Sequence, residues 1–189
     1  MADVGTANLE AVSGSSTDNL LAVSWAGSFP LEDGAWSAIA IDGGPRFNDV
    51  WFNGDVGWAV GEDGAIGQFR NGVWTVTTHE SRARLYGISA TGAQQAWAVG
   101  ENGTFLQYDG ITWTALDTGT TLSLWGVVAL SPTNVWVAGN NGTILQFDGT
   151  GFRASNSGVD NNLYAIVAAP SGLLWAIGNR GMALRQLAP

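Results

Sequence analysis

From Phe47 onward the chain alternates apolar residues with small or polar ones at a period of two, in runs of about six residues broken by glycine, aspartate and asparagine. That period belongs to a β-strand, whose successive side chains point to opposite faces of a sheet. In "LYGISA", Leu85–Ala90, the Leu85, Gly87 and Ser89 side alternates with Tyr86, Ile88 and Ala90, and both sides are mostly apolar or small. "LWGVVA" at Leu124 and "LYAIVA" at Leu163 follow the same pattern. Strands apolar on both sides belong to a sheet covered on both faces. Further strands are expected near Ala96–Glu101, over Thr104–Tyr108, and from Thr112 in "TWTALDT".

These runs recur at a fixed interval. Trp58, Trp97, Trp136 and Trp175 follow one another 39 residues apart, as do Leu85, Leu124 and Leu163. "FNDVWF" at Phe47 and "LEAVSG" at Leu9 are looser copies, each 38 residues before the next. Five repeats fit the 189-residue length, over 9–46, 47–84, 85–123, 124–162 and 163–189. The first is the most divergent: "LLAVSW" at Leu20 stands where the others have W-[AV]-[VAI]-G.

Each tryptophan is followed by a loop, as in "WAVGENGTFLQYDG", Trp97 to Gly110. Asp63-Gly64, Asn102-Gly103 and Asn141-Gly142 are the dipeptides of a two-residue hairpin, whose central positions both need positive φ. Arg180-Gly181 is a poorer fourth copy. A phosphate-binding loop would run into a helix, and Thr104–Tyr108 reads as strand. Calcium-loop spacing is absent as well. Four short antiparallel strands per repeat, five times over, specify an all-β fold: a single five-bladed β-propeller domain of about 39-residue repeats spanning 1–189. A parallel β-helix, the structural rival, would not need a hairpin dipeptide in every repeat. The Trp58/97/136/175 column is expected to fill the gaps between blades, and Trp36, Trp74, Trp113 and Phe152 to form a column on the fourth strand. The last repeat stops at "MALRQLAP" without a fourth strand, so Ala2–Ala7 is expected to pair with the last blade and close the propeller.

Composition narrows the function. The net charge is −9, with seven arginines and no lysine, which argues against a nucleic-acid path. No apolar run approaches membrane-spanning length, so no membrane insertion is expected. The absence of cysteine removes disulfides and thiolate chemistry. "MADVGTANLEAVSGSSTDNL" has neither a basic nor an apolar signal region, which points to synthesis in the cytoplasm, with release or association with a particle left open. Lysine-free composition rich in Ala, Gly and Val fits a bacterial or phage source.

At "AVGENGTFLQYDGITW" the chain resembles bacterial propeller repeats, including those of photosystem-assembly-factor propellers and the Asp-box repeats of sialidase-like proteins. Asp109, Gly110, Thr112 and Trp113 look like the end of an Asp-box, with compressed spacing and Gln107 in place of the leading serine. Asp148-Gly149 followed by Phe152 departs further, and Arg70-Asn71-Gly72 loses the aspartate. The resemblance covers residues 47–189 and implies fold more than activity. Five tryptophan-rich blades are also similar in architecture to tachylectin-like lectins.

Catalytic machinery is not expected, nor is any cofactor or metal. Sialidase chemistry needs clustered arginines, and Arg46, Arg70, Arg82, Arg84, Arg153, Arg180 and Arg185 do not fall at equivalent inner-strand positions in three blades. His79, the only histidine, lies in the polar connector "TTHESRAR". Binding is the stronger expectation. Loops between second and third strands, and connectors between blades, share one face of a propeller, and inner-strand starts reach it. There Tyr86, Trp125 and Tyr164 are expected beside Glu101, Asn140 and Asn179, with Trp25 and Trp51, which break the repeat columns, as second choices. An aromatic plane flanked by amides and carboxylates can stack on a sugar and bond its hydroxyls. Lectin-like glycan binding is therefore the leading expectation. The alternative is a protein–protein scaffold, such as an assembly factor or phage-particle component, and a glycoside hydrolase comes third. Packing between blades would explain the same aromatic columns.

Overall fold

The structure, a computed structural model, describes residues 8–187 apart from 26, 42 and 170. It divides into two compact units, one ending at Ile88 and the other beginning at Ser89. The first holds two four-stranded sheets. They are β1 (Leu9–Ser16), β2 (Asn19–Ser24), β3 (Ser28–Glu32) and β4 (Ala35–Trp36), then β5 (Phe47–Phe52), β6 (Val56–Gly61), β7 (Ala65–Arg70) and β8 (Val73–Thr78). A third sheet follows, β9 (Leu85–Ala90), β10 (Ala96–Gly100), β11 (Phe105–Tyr108) and β12 (Trp113–Ala115), with the division falling inside β9. The second unit continues with β13 (Leu124–Ser131), β14 (Asn134–Gly139), β15 (Ile144–Phe147) and β16 (Phe152–Ser155). It ends with β17 (Leu163–Ala168), β18 (Leu173–Gly178) and β19 (Ala183–Leu187). Strands neighbour one another in chain order in every sheet. Five such sheets are the blades of a five-bladed β-propeller. Three strands of the last blade are described, and the closing strand expected from Ala2–Ala7 lies outside the described residues.

The loops after β6, β10, β14 and β18 are the tight turns that the dipeptides predict. Asn102 and Gly103 have φ of 55° and 71°, and Thr104 N–H donates to the Glu101 carbonyl at 2.9 Å, which is a type I′ turn. Asp63, Asn141 and Arg180 repeat the left-handed φ at 51°, 53° and 54°. The glycine is needed twice over at Gly142: its φ is +68°, and a Cβ there would run into the Val159 carbonyl.

Register breaks recur near the start of the inner strands, between Leu9 and Ala11, Phe47 and Asp49, Leu124 and Gly126, and Leu163 and Ala165. Such a bulge takes one residue out of the ladder and re-aims its side chain. The residues so placed are Glu10, Asn48, Trp125 and Tyr164.

Trp58, Trp97 and Trp136 are buried as expected. Trp136 packs against Leu163, Ile166, Leu174 and Ala176 of the next blade, and Trp97 against Leu124, Val127, Val135 and Val137. Burial on this scale is worth about 4–6 kcal/mol per ring. Two details differ from the sequence pattern. In the first blade the column is filled by Leu21, paired with Ser13 and fully buried, not by Leu20, because the β5–β6 hairpin is one residue shorter than the β1–β2, β13–β14 and β17–β18 hairpins, so counting back from Trp58 falls one residue short. Trp175 occupies its column position, opposite Val167, yet it remains 39% exposed.

Candidate functional site

The type I′ turns are tied to the chain that leads into their own inner strands. Glu62 N–H donates to the Arg46 carbonyl at 2.9 Å, Asn140 N–H to Ser123 at 2.9 Å, and Asn179 N–H to Asn162 at 3.0 Å. This places the first residue of each turn beside the bulged start of an inner strand. Trp25 holds the same position in the first blade, since Ser24 pairs with Leu9 as Gly61 pairs with Phe47.

In the first unit this position is clasped by arginine. The Arg46 guanidinium lies 4.7 Å from the centre of the exposed Trp25 ring. Arg84 pairs with Glu62 at 2.6 Å and stands 5.5 Å over the Tyr86 ring. Its buried Nε has no hydrogen-bond partner. Arg46, Arg84, Ser123 and Asn162 are repeat equivalents, each the last residue before an inner strand or one removed from it. That spacing is the signal by which sequence reasoning could have found the two arginines.

In the second unit the clasp is made of amides. Trp125 Nε1–H donates to Asn140 Oδ1 at 2.7 Å. The Trp125 and Tyr164 rings meet edge to face, 5.6 Å between centres and 85° between planes. Asn161 Nδ2 donates to Asn179 Oδ1 at 2.9 Å, and Asn141 N–H to Asn162 Oδ1 at 3.1 Å. Tyr164 is 46% exposed. Thus the structure brings Trp125, Tyr164 and Asn140 together, and holds Asn179 against Asn161. Glu101 holds the equivalent first position of its own turn. Trp51 lies mid-strand opposite Trp58, away from the turns.

A cleft of about 570 Å³ opens next to this cluster, lined by Thr118, Thr120, Asn141, Ser155, Ser157 and Asp160 among others. Its hydroxyls and amides can both donate and accept hydrogen bonds.

Three carboxylates have displaced pKa values, each for a structural reason. Burial pushes Asp49 up to about 6, against the opposing pull of the Ile88 and Val50 N–H groups, each 2.9 Å from a carboxylate oxygen. It braces β5 against β9 below the turns. Asp109 is held below its usual value by the Thr112 and Ile111 N–H groups, and Asp148 by the Thr150 hydroxyl and the Thr150 and Gly151 N–H groups. Asp109, exposed, and Asp148, half-buried, organise the turns into β12 and β16, a structural use of the Asp-box-like residues. His79 Nδ1 lies 2.9 Å from Ser81 Oγ within its connector.

Solved structures place this geometry among known folds. Over 98% of its length the chain superposes on "YCF48 bound to D1 peptide" with a TM-score of 0.71 at 20% identity. Over 97% it superposes on a streptogramin B lyase with a TM-score of 0.79 at 15% identity. The likeness is one of fold. The chain spans 65% of the first structure's chain, just under two-thirds, and 70% of the second's. No protein-family model matches it. No curated sequence matches it either.

Proposed function

We propose that the protein is a recognition module for protein partners, taking an extended peptide segment at the turn cluster of the second unit. The observation that carries this reading is the bulge-presented Tyr164, half exposed and braced edge-on by Trp125, which is itself fixed by Asn140. A rigid aromatic with one free face is the usual anchor of an interface, because little conformational entropy is lost on binding. The surrounding amides and hydroxyls of Asn140, Asn161, Asn179 and the adjacent cleft offer paired donors and acceptors of the kind a peptide backbone requires. A neighbour in fold, YCF48, holds a peptide, which supports a protein ligand over a sugar. The streptogramin B lyase shares the fold without lending its chemistry, since fold and activity separate readily.

The test is a peptide-array screen of the purified chain run beside a glycan array, with hits titrated by tryptophan fluorescence. Saturable peptide binding weakened about 30-fold by Tyr164→Ala, with the fold retained, is expected. Peptide binding that ignores Tyr164→Ala and Asn140→Ala would refute the site. Sugar binding with a blank peptide array would refute the peptide reading and favour a lectin.

A further inference from the structure

The cleft beside the turn cluster of the second unit is walled by two loops of the same design. Asp117, Thr118 and Gly119 form one, and Asn156, Ser157 and Gly158 form the other, 39 residues further on. In each, the leading side-chain oxygen accepts the glycine N–H at 2.9 Å, and the glycine takes a left-handed φ, 72° and 73°. The middle hydroxyl donates onward, Thr118 to the Gly103 and Thr120 carbonyls and Ser157 to the Val159 carbonyl. Side-chain-to-backbone bonds of this kind fix both walls before any ligand arrives.

Between the walls lies an apolar floor with a single charge at its border. Leu145, Phe152 and Ala154 line the cleft from one face of β15 and β16, where Leu145 pairs with Ala154. The Phe152 ring is held edge-on by Phe105 and tilted against Phe147, with centres 4.9 and 5.1 Å apart. Asp160 is the one charged residue among those lining the cleft. Its carboxylate has no hydrogen bond or ion pair among the described residues. Arg153 stands between Phe152 and Ala154 on β16, so it points to the opposite face, where it pairs with Asp148 at 3.5 Å. The repeat does not impose this charge: at the place of Asp160 the second blade has Arg82 and the third Thr121.

We infer that the bound peptide carries a basic residue, lysine or arginine, whose side chain enters this cleft, its methylene stem along Leu145, Phe152 and Ala154 and its cationic head on Asp160. This rests on the peptide reading above and names the chemistry of the partner. A long basic side chain is suited to such a place, because it lays its stem on apolar surface while its head stays at the polar border. Its head carries donors only, and the Asp160 carboxylate and the Asn141 amide oxygen are acceptors. An acidic side chain would meet a like charge there, and a neutral one would leave the carboxylate without a partner. Asp160 leads directly into Asn161 and Asn162, which bond Asn179 and the Asn141 N–H, so the cleft and the Tyr164 site adjoin on one surface of the second unit.

Fluorescence anisotropy of the full chain against labelled, capped hexapeptide pools tests this, the pools being alike except for one position fixed as Lys, Arg, Gln or Glu. Wild type is expected to bind the Lys and Arg pools about tenfold more tightly than the Gln pool, and the Glu pool more weakly still. Asp160→Asn should bring the Lys and Arg pools to the level of the Gln pool and leave the Gln pool unchanged. Asp160→Lys should reverse the order, so that the Glu pool binds best. Asp160 is exposed, so both variants are expected to keep the fold, verified by near-UV circular dichroism. A basic preference that survives Asp160→Asn, or equal binding of all four pools by wild type, would overturn the inference. Equal binding that Tyr164→Ala weakens would overturn the basic residue and leave the peptide site standing, whereas no binding to any pool would overturn both.

Discussion

Asp49 offers a quantitative test of how the blades are braced. Its carboxylate accepts the N–H of Ile88 and of Val50, and burial raises its pKa from 3.8 to about 6. A carboxyl group whose folded pKa lies above its unfolded one binds more protons in the folded state across that interval. Its contribution to stability is therefore greatest below about pH 4 and is lost as pH rises toward about 6. At about 1.4 kcal/mol per unit, the shift corresponds to about 3 kcal/mol, and partial exposure of the residue brings the expected loss nearer 2 kcal/mol. Asp49→Asn removes the titration and one acceptor. The lost acceptor costs about 1 kcal/mol at every pH, so the slope is diagnostic and the offset is not. Urea unfolding of both proteins between about pH 3.5 and 7 should show the variant gaining on wild type by about 2 kcal/mol, mostly between pH 4 and 6. Asp109 and Asp148 act in the opposite sense, but both proteins carry them and they cancel in the difference. A flat difference would mean that the carboxyl is well solvated. A wild type that gains on the variant as pH rises would mean that the two N–H bonds outweigh burial.

Three further outcomes follow from packing and turn geometry. Trp136→Ala should cost about 3–5 kcal/mol in chemical denaturation and Trp175→Ala under about 2 kcal/mol, since Trp136 is buried among Leu163, Ile166 and Leu174 whereas Trp175 is 39% exposed; equal costs would refute the distinction. A Cβ on Gly126 would lie 2.9 Å from Ala165 Cα and from Ile166 N, so Gly126→Val should lower stability by about 1–3 kcal/mol; an unchanged melting temperature would refute that close approach. Arg180 stands at φ 54° before Gly181, and Arg180→Asn should raise stability by about 0.5–1 kcal/mol by easing the left-handed conformation; a loss of stability would show that the arginine side chain has a role of its own.

The all-β repeat architecture and the turn type are legible in the sequence because each is set by a few residues acting locally. Asn102-Gly103 specifies a type I′ turn wherever it occurs, and a 39-residue period carries that turn to the same place in each blade. Trp125, Tyr164 and Asn140 lie near one another for a related reason, since each sits at a fixed offset from such a turn. The first blade's column lies one residue beyond where a count back from Trp58 places it, because the β5–β6 hairpin is one residue shorter than the others and a shortened turn leaves the strand pattern on either side unchanged. The arginine clasp was passed over because its repeat position changes chemistry, from Arg46 and Arg84 to Ser123 and Asn162, while its geometry persists.

The exposure of Trp175 has a different origin, and it marks a limit on reading any repeat from its sequence. "WVAGNNG" and "WAIGNRG" differ little, yet one tryptophan is buried and the other is not. Nothing in the residues around Trp175 could reveal this, because a tryptophan in this column is buried by the following blade and not by its own. Trp136 is covered because Leu163 and Ile166 come after it in the chain. Periodicity therefore reports which side chains are shaped to meet a neighbour, and only the assembled structure reports whether the neighbour is there.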